Sequence, residues 1–233
     1  MSQGAPRAEI NHELIGDERL PVLIIDNALS GAERLIDLAA QSDWSVRSQY
    51  YPGIRAAAPM DYATALSRAL EKPIFEAFGW NGGSLTAEET SFSLVTTPPE
   101  QLVPYQRVPH IDGTDICTLA VLHFIGRQDD EETGTSFFRH GRTGFESVNA
   151  ERHEAYRAAT EQDLAEDGEP PEGYIQGSTQ RYEQTAFFAG RYNRILVYQG
   201  HTLHCGMIPP GFSFNPDPRE GRLTVNTFLK YRP

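Results

Sequence analysis

Val108-Pro109-His110-Ile111-Asp112-Gly113 is the stretch on which the reading of this chain turns. In extended backbone successive side chains alternate faces, so residues two apart point the same way. His110 and Asp112 can therefore bring an imidazole and a carboxylate to one point, while Ile111 packs into the opposite layer. Alone, a His-x-Asp tripeptide arises often by chance and favours a structural histidine beside a turn aspartate. The distant partners decide the matter.

Near the C-terminus stands Ile195-Leu196-Val197-Tyr198-Gln199-Gly200-His201-Thr202-Leu203-His204-Cys205-Gly206, an apolar strand leading through a turn into a second histidine. Two histidines and one carboxylate on one face of an octahedron leave three positions open, which suits Fe(II) oxygen chemistry. His110, Asp112 and His204 form the expected metal set. His201 lies three residues earlier, and odd spacing sends it to the other face, as substrate contact or outer support. Cys205 faces away from the metal by the same parity and reads as a small hydrophobe. Downstream, Glu220-Gly221-Arg222-Leu223-Thr224 opens the final strand. A guanidinium binds a carboxylate bidentately and never loses its charge, so Arg222, with Thr224 on the same strand face, suits the far carboxylate of a metal-bound 2-oxo acid. Arg219 is the fallback anchor.

Around these motifs, Ser91 to Thr96, Thr118 to Ile125, Ser136 to Arg139, Ile195 to Gln199 and Leu223 to Tyr231 read as strands separated by turn residues. They predict an antiparallel sandwich or barrel. Leu20 to Ile25 is a short buried strand. Ser30-Gly31-Ala32-Glu33 has capping-box spacing for a helix to about Gln41, and a second helix is expected from Asp61 to Glu71, with Pro73 restarting or ending it. Helices first and strands later give an α+β, mainly β plan. Residues 1–19 are expected to be a flexible arm and 20–233 one domain, with 20–83 as helical support and 84–233 as the β-core. Within that core, 146–186 is charged, then rich in Gly, Pro and Gln, and reads as an insertion or lid.

The chain has 233 residues, 39% of them hydrophobic, and a formal net charge of −12. Such an acidic surface repels phosphate backbones and anionic membranes. Two cysteines, Cys117 and Cys205, imply neither a disulfide framework nor a CxxC site. The opening MSQGAPRAEINHE has no basic segment leading into an apolar run, so a soluble cytoplasmic protein is the expectation. The expected partner is a small-molecule or peptide substrate, with a homodimer as the assembly to test.

The order His-x-Asp, distal His, Arg-x-Thr resembles the iron(II)- and 2-oxoglutarate-dependent oxygenases, particularly their prolyl-hydroxylase-like branch. Leu20 to Ser30 resembles that branch's entry strand and first helix cap. Gly134-Thr135-Ser136-Phe137-Phe138 resembles its glycine-led turn into a strand, and Leu203-His204-Cys205-Gly206 its segment around the distal ligand. The likeness covers most of 20–233, with 146–186 outside it. It implies a double-stranded β-helix (jelly-roll) core with supporting N-terminal helices, Fe(II) and 2-oxoglutarate as cofactor and cosubstrate, and C–H hydroxylation with release of succinate and CO2. Two departures stand out. His204 and Arg222 are 18 residues apart, about one strand-turn more than is usual, which assigns 209–218 to a longer loop. Relatives often carry a tyrosine touching the cosubstrate after His-x-Asp; here His123 and Phe124 stand there, and His123 is expected to make the contact. Other readings of the same triad are a zinc hydrolase, an iron oxygenase without 2-oxoglutarate, or a silent binding module, and none gives the Arg-x-Thr strand a task.

Overall fold

The computed structural model describes residues 7–46, 49–126 and 131–233. In chain order the elements are β1 (Glu9–Ile15), β2 (Leu20–Asp26), α1 (Glu33–Ala39), β3 (Gly53–Ala57), α2 (Met60–Phe78), β4 (Ser84–Val95), β5 (Thr118–Phe124), β6 (Gly134–His140), α3 (His153–Asp167), β7 (Tyr182–Ala189), β8 (Arg194–Gln199), β9 (His204–Met207) and β10 (Leu223–Arg232). One sheet has the order β1-β2-β8-β5-β10-β4-β3 and the other β7-β6-β9, with antiparallel pairing throughout. His110 bridges His204 and so extends the smaller sheet beyond β9. From β4 onward the chain passes from the large sheet to the His110 bridge, back to β5, over to β6 and β7, back to β8, over to β9 and back to β10. That alternation is a double-stranded β-helix, the jelly-roll core expected from the sequence.

The central strands β2, β5 and β8 of the large sheet are buried on both faces, which is why they read as nearly continuous apolar runs. Ala120, Leu122, Phe124, Leu196 and Tyr198 point inward, towards Phe137 and Phe188 of the small sheet. Leu119, Val121, Ile195 and Val197 point outward and pack on Leu70 and Ile74 of α2. Along α2 the buried Ala63, Ser67, Leu70 and Ile74 recur at helical spacing. The helix stops at Gly79, whose φ of 68° is the left-handed turn that glycine adopts without a Cβ clash. Ile74 is fully buried, so truncating it to Ala should cost about 2–5 kcal/mol.

Several sequence expectations need correction. Residues 9–15 are not a loose arm: they pair with β2 over its whole length, because the tight turn at Gly16 brings the two strands together. Residues 1–6 lie outside the described residues. The 20–83 region is more than helical support, since β2 and β3 join the large sheet. No side-chain cap opens α1; Gly31, at φ 78°, turns the chain first and Ala32 becomes the N-cap. The second helix does not end at Glu71 but runs through Pro73 to Phe78. Finally, 146–148 belong to the core: Leu203 N donates to Glu146 O and Val148 N to His201 O. The segment outside the β-core is 149–181, with α3 in it. Among the described residues no helix is long and apolar enough to cross a membrane.

Candidate metal centre

His204 lies on β9, and two reciprocal backbone hydrogen bonds of 2.9 Å tie it to His110. Asp112 N donates to Gly200 O at 2.7 Å, which pins the other end of the His-x-Asp segment to the turn before β9. These bonds set the side chains together: His204 Nε2 is 3.5 Å from Asp112 Oδ2, and His110 Nε2 is 3.9 Å from Asp112 Oδ1. The ligand atoms of all three lie within 4.8 Å of one another, as one ion would require.

His204 Nδ1 donates to Thr202 O at 2.8 Å, which leaves Nε2 with its lone pair free towards the cluster. The His110 side chain is 51% exposed and lines the cavity that also holds Arg222. Burial, with the neighbouring His204, lowers its pKa to about 4 despite the opposing Asp112; burial lowers His204 likewise to about 4. Both imidazoles are therefore neutral near pH 7, the form that ligates a metal. Burial pushes the Asp112 carboxyl up.

The cavity holding the cluster has a volume of about 860 Å³ and reaches Arg222, Thr224, Tyr51, Arg55 and Thr135. Arg222 is only 8% exposed. Its Nη2 donates to Gly134 O at 2.9 Å, its guanidinium carbon sits 5.3 Å from the Phe124 ring centre, and its Nε has no partner. Burial lowers its pKa. Among the described residues no carboxylate lies within ion-pair distance of it. Thr224 shares the cavity, its hydroxyl donating to Asn226 Oδ1 at 2.8 Å. Six buried side-chain polar atoms lack a partner among the described residues, and four of them (Tyr51 OH, Arg55 Nε, Thr135 Oγ1, Arg222 Nε) belong to residues lining this cavity. Orphaned donors at that density are what an anionic ligand would satisfy.

Other candidates fall elsewhere. His123 does not reach the cavity: it shares the outward parity of Leu119 and Val121, with Nδ1 2.8 Å from Tyr62 OH and Nε2 3.0 Å from Asn193 Oδ1. Arg219 is a surface residue paired with Asp37 at 2.6 Å, which removes the fallback anchor. His201 is buried among the surroundings of Glu18 and Arg152, away from the cluster. Cys205 turns from His204 to pack with Phe138, Val148 and Leu203. Tyr105 and Tyr198 are among several aromatic residues that line the cavity; Phe137 packs edge-on against Tyr198, and Phe138 lies in the outer cluster. Tyr51, Arg55 and Thr135 were not read from the sequence. The alternation Gly53-Ile54-Arg55-Ala56, with one charge in a short strand, was the signal available for Arg55.

Fold and site together define a jelly-roll protein with a two-histidine, one-carboxylate cluster in a large cavity. The chain belongs to a family of unknown function (DUF6445), whose model matches residues 6–229. No curated protein matches it by sequence. It is similar in structure to the non-haem α-ketoglutarate-dependent epimerase SnoN from nogalamycin biosynthesis, at 14% identity and TM-score 0.46 over 93% of this chain and 82% of that one. A Pseudomonas putida prolyl-4-hydroxylase aligns at 12% identity and TM-score 0.46, over 91% of this chain and 93% of that one. Iron-bound HygX from Streptomyces hygroscopicus aligns at 12% identity and TM-score 0.47, over 90% and 81% respectively.

Proposed function

We propose that this protein is an Fe(II)- and 2-oxoglutarate-dependent oxygenase, hydroxylating a C–H bond of a peptidyl or amino-acid side chain or of a small molecule. The observation that carries the reading is Arg222, a buried guanidinium with no carboxylate partner, in the same cavity as His110, Asp112 and His204. A zinc hydrolase would need the triad but would leave Arg222 idle.

His110, Asp112 and His204 would hold the iron through two neutral imidazoles and one carboxylate, leaving coordination positions open. When bound, iron and 2-oxoglutarate supply the oxidising power, with loss of CO2 and formation of succinate. The Thr202 carbonyl fixes the His204 tautomer. Arg222 would receive the far carboxylate of the cosubstrate, in a cavity also lined by Thr224, Tyr51 and Thr135. Arg222 itself is only 8% exposed, and such burial strengthens its charge contacts.

Anaerobic titration of the purified protein with Fe(II) and then 2-oxoglutarate tests the reading. A visible metal-to-ligand charge-transfer band is expected in the wild type and absent from His204→Ala. A wild type without the band, or a band retained in His204→Ala and lost in His201→Ala, overturns the assignment.

A further inference from the structure

We propose that the cavity contains a second anion subsite, built on Arg55, which grips a carboxylate of the prime substrate. This rests on the oxygenase reading above, which gives one arginine a task and leaves the other without one.

Arg55 pairs with Ser93, and Ser93 with Thr224, in one row across β3, β4 and β10. Directly paired residues project from the same side of a sheet, so Arg55 points inward with Thr224, two strands and roughly 10 Å away. Its guanidinium carbon lies 4.5 Å from the centre of the Tyr51 ring. Its Nε is buried without a partner, and among the described residues no carboxylate stands within ion-pair distance. A half-buried cation with a spare donor, stacked on an aromatic face, is ready for an anion.

The two arginines serve different places. Arg222, on the chain entering β10, is tied to Gly134 O and faces the Phe124 ring, whereas Arg55, on β3, stacks on Tyr51. The two guanidiniums stand on strands separated by β4 and line the same cavity as His110 and Asp112. Asp112, a carboxylate of that cavity, would be committed to the metal. 2-Oxoglutarate has two carboxylates, one for the metal and one for Arg222, so a second guanidinium in the cavity has room for a third. Tyr50, Pro104, Tyr105 and Val108 line the same cavity and suit an apolar or aromatic body joined to that carboxylate.

Protein loaded anaerobically with Fe(II) and 2-oxoglutarate would be titrated by calorimetry with acetate and phenylacetate, and with acetamide and phenylacetamide as uncharged counterparts. Each acid should bind the wild type at least tenfold more tightly than its amide. Arg55→Met should erase that preference while leaving 2-oxoglutarate affinity within threefold, and Arg55→Lys, which keeps the charge, should retain part of it. Equal binding of acids and amides by the wild type, or an acid preference that survives Arg55→Met, would overturn the subsite. So would a loss of 2-oxoglutarate affinity in Arg55→Met as large as that in Arg222→Met, since Arg55 would then belong to the cosubstrate. If wild-type protein forms no charge-transfer band, the oxygenase reading is what fails; the acid and amide titrations, repeated on Fe(II)-loaded Arg55→Met and Arg222→Met, still decide whether Arg55 holds a carboxylate.

Discussion

The two arginines of the cavity and the clasp of α3, whose Asp163 also lines that cavity, handle buried charge in opposite ways. On the outside of the small sheet, His140 Nε2 meets Asp163 Oδ2 at 2.7 Å, Arg142 Nε meets Asp163 Oδ1 at 2.5 Å, and Arg142 Nη2 meets Glu166 at 2.6 Å. Burial pushes the Asp163 carboxyl up, but hydrogen bonds from Arg142 and His140 outweigh it and hold it below its ordinary value. Each charge there has a partner, so the clasp fastens α3 to β6 and asks for no ligand. In the cavity, Arg222 and Arg55 keep donors unpaired. Folding tolerates such groups only when the rest of the structure compensates, which makes the contrast between saturated and unsaturated charge a guide to where a ligand belongs.

The sharpest way to break this contrast is Arg222→Met. 2-Oxoglutarate affinity should fall on the order of a hundredfold, since a buried carboxylate loses its counter-charge. The thermal midpoint of the ligand-free protein should stay level or rise, because an unpaired buried cation is removed. A marked drop in midpoint would mean that Arg222 is structural.

Asp163→Ala should do the reverse to stability. Deleting the shared partner leaves buried His140 without its carboxylate and Arg142 with Glu166 alone, and should cost about 2–3 kcal/mol in urea unfolding. An unchanged unfolding midpoint would show that the clasp contributes nothing.

A third comparison uses pH. Burial depresses the His123 pKa to about 4 from an ordinary 6.5, so between those values the unfolded chain binds a proton that the folded protein refuses. Stability should therefore fall as pH drops from 6.5 towards 4, with His123 contributing at most about 3 kcal/mol. His110 and His204 add to the same slope in metal-free protein. Urea unfolding of metal-free His123→Phe across this range should give a flatter profile than the wild type; parallel profiles would exclude His123 as a source.

The smallest effect should come from Arg157, which is half exposed and pairs along α3 with Glu154 and Glu161. Solvent screens such pairs, and Arg157→Ala should leave the thermal midpoint unchanged within error. A clear loss would mean that exposed pairs on α3 matter as much as the Asp163 clasp.

The parts of the site legible in the sequence were those carried by short local motifs. His-x-Asp, Leu-His-Cys-Gly and Arg-Leu-Thr state both residue type and relative parity, and the structure brings His110, Asp112 and His204 together. His123 went wrong for an identifiable reason. β5 is buried on both faces, by the barrel interior and by α2, so its apolar alternation does not reveal which face is inward, and a one-residue change of face moves every side chain to the other side. Tyr62 and Asn193, which hold His123, are 61 and 70 residues away from it in sequence. Arg55 was hidden by the same logic: its strand is five residues long, and only pairing with Ser93 turns it inward.

By itself the sequence determined the chemistry on offer: two histidines and a carboxylate at strand spacing, an arginine two residues before a threonine, and a strand-rich core with helices ahead of it. Such information is local, because period and motif spacing depend on covalent geometry alone. Tertiary structure decided which of these groups face one another, that Arg219 lies outside, that His123 is a strut under α2, and that a second arginine shares the cavity with the first. Inward and outward are properties of register and layer packing, set by contacts between residues far apart in the chain.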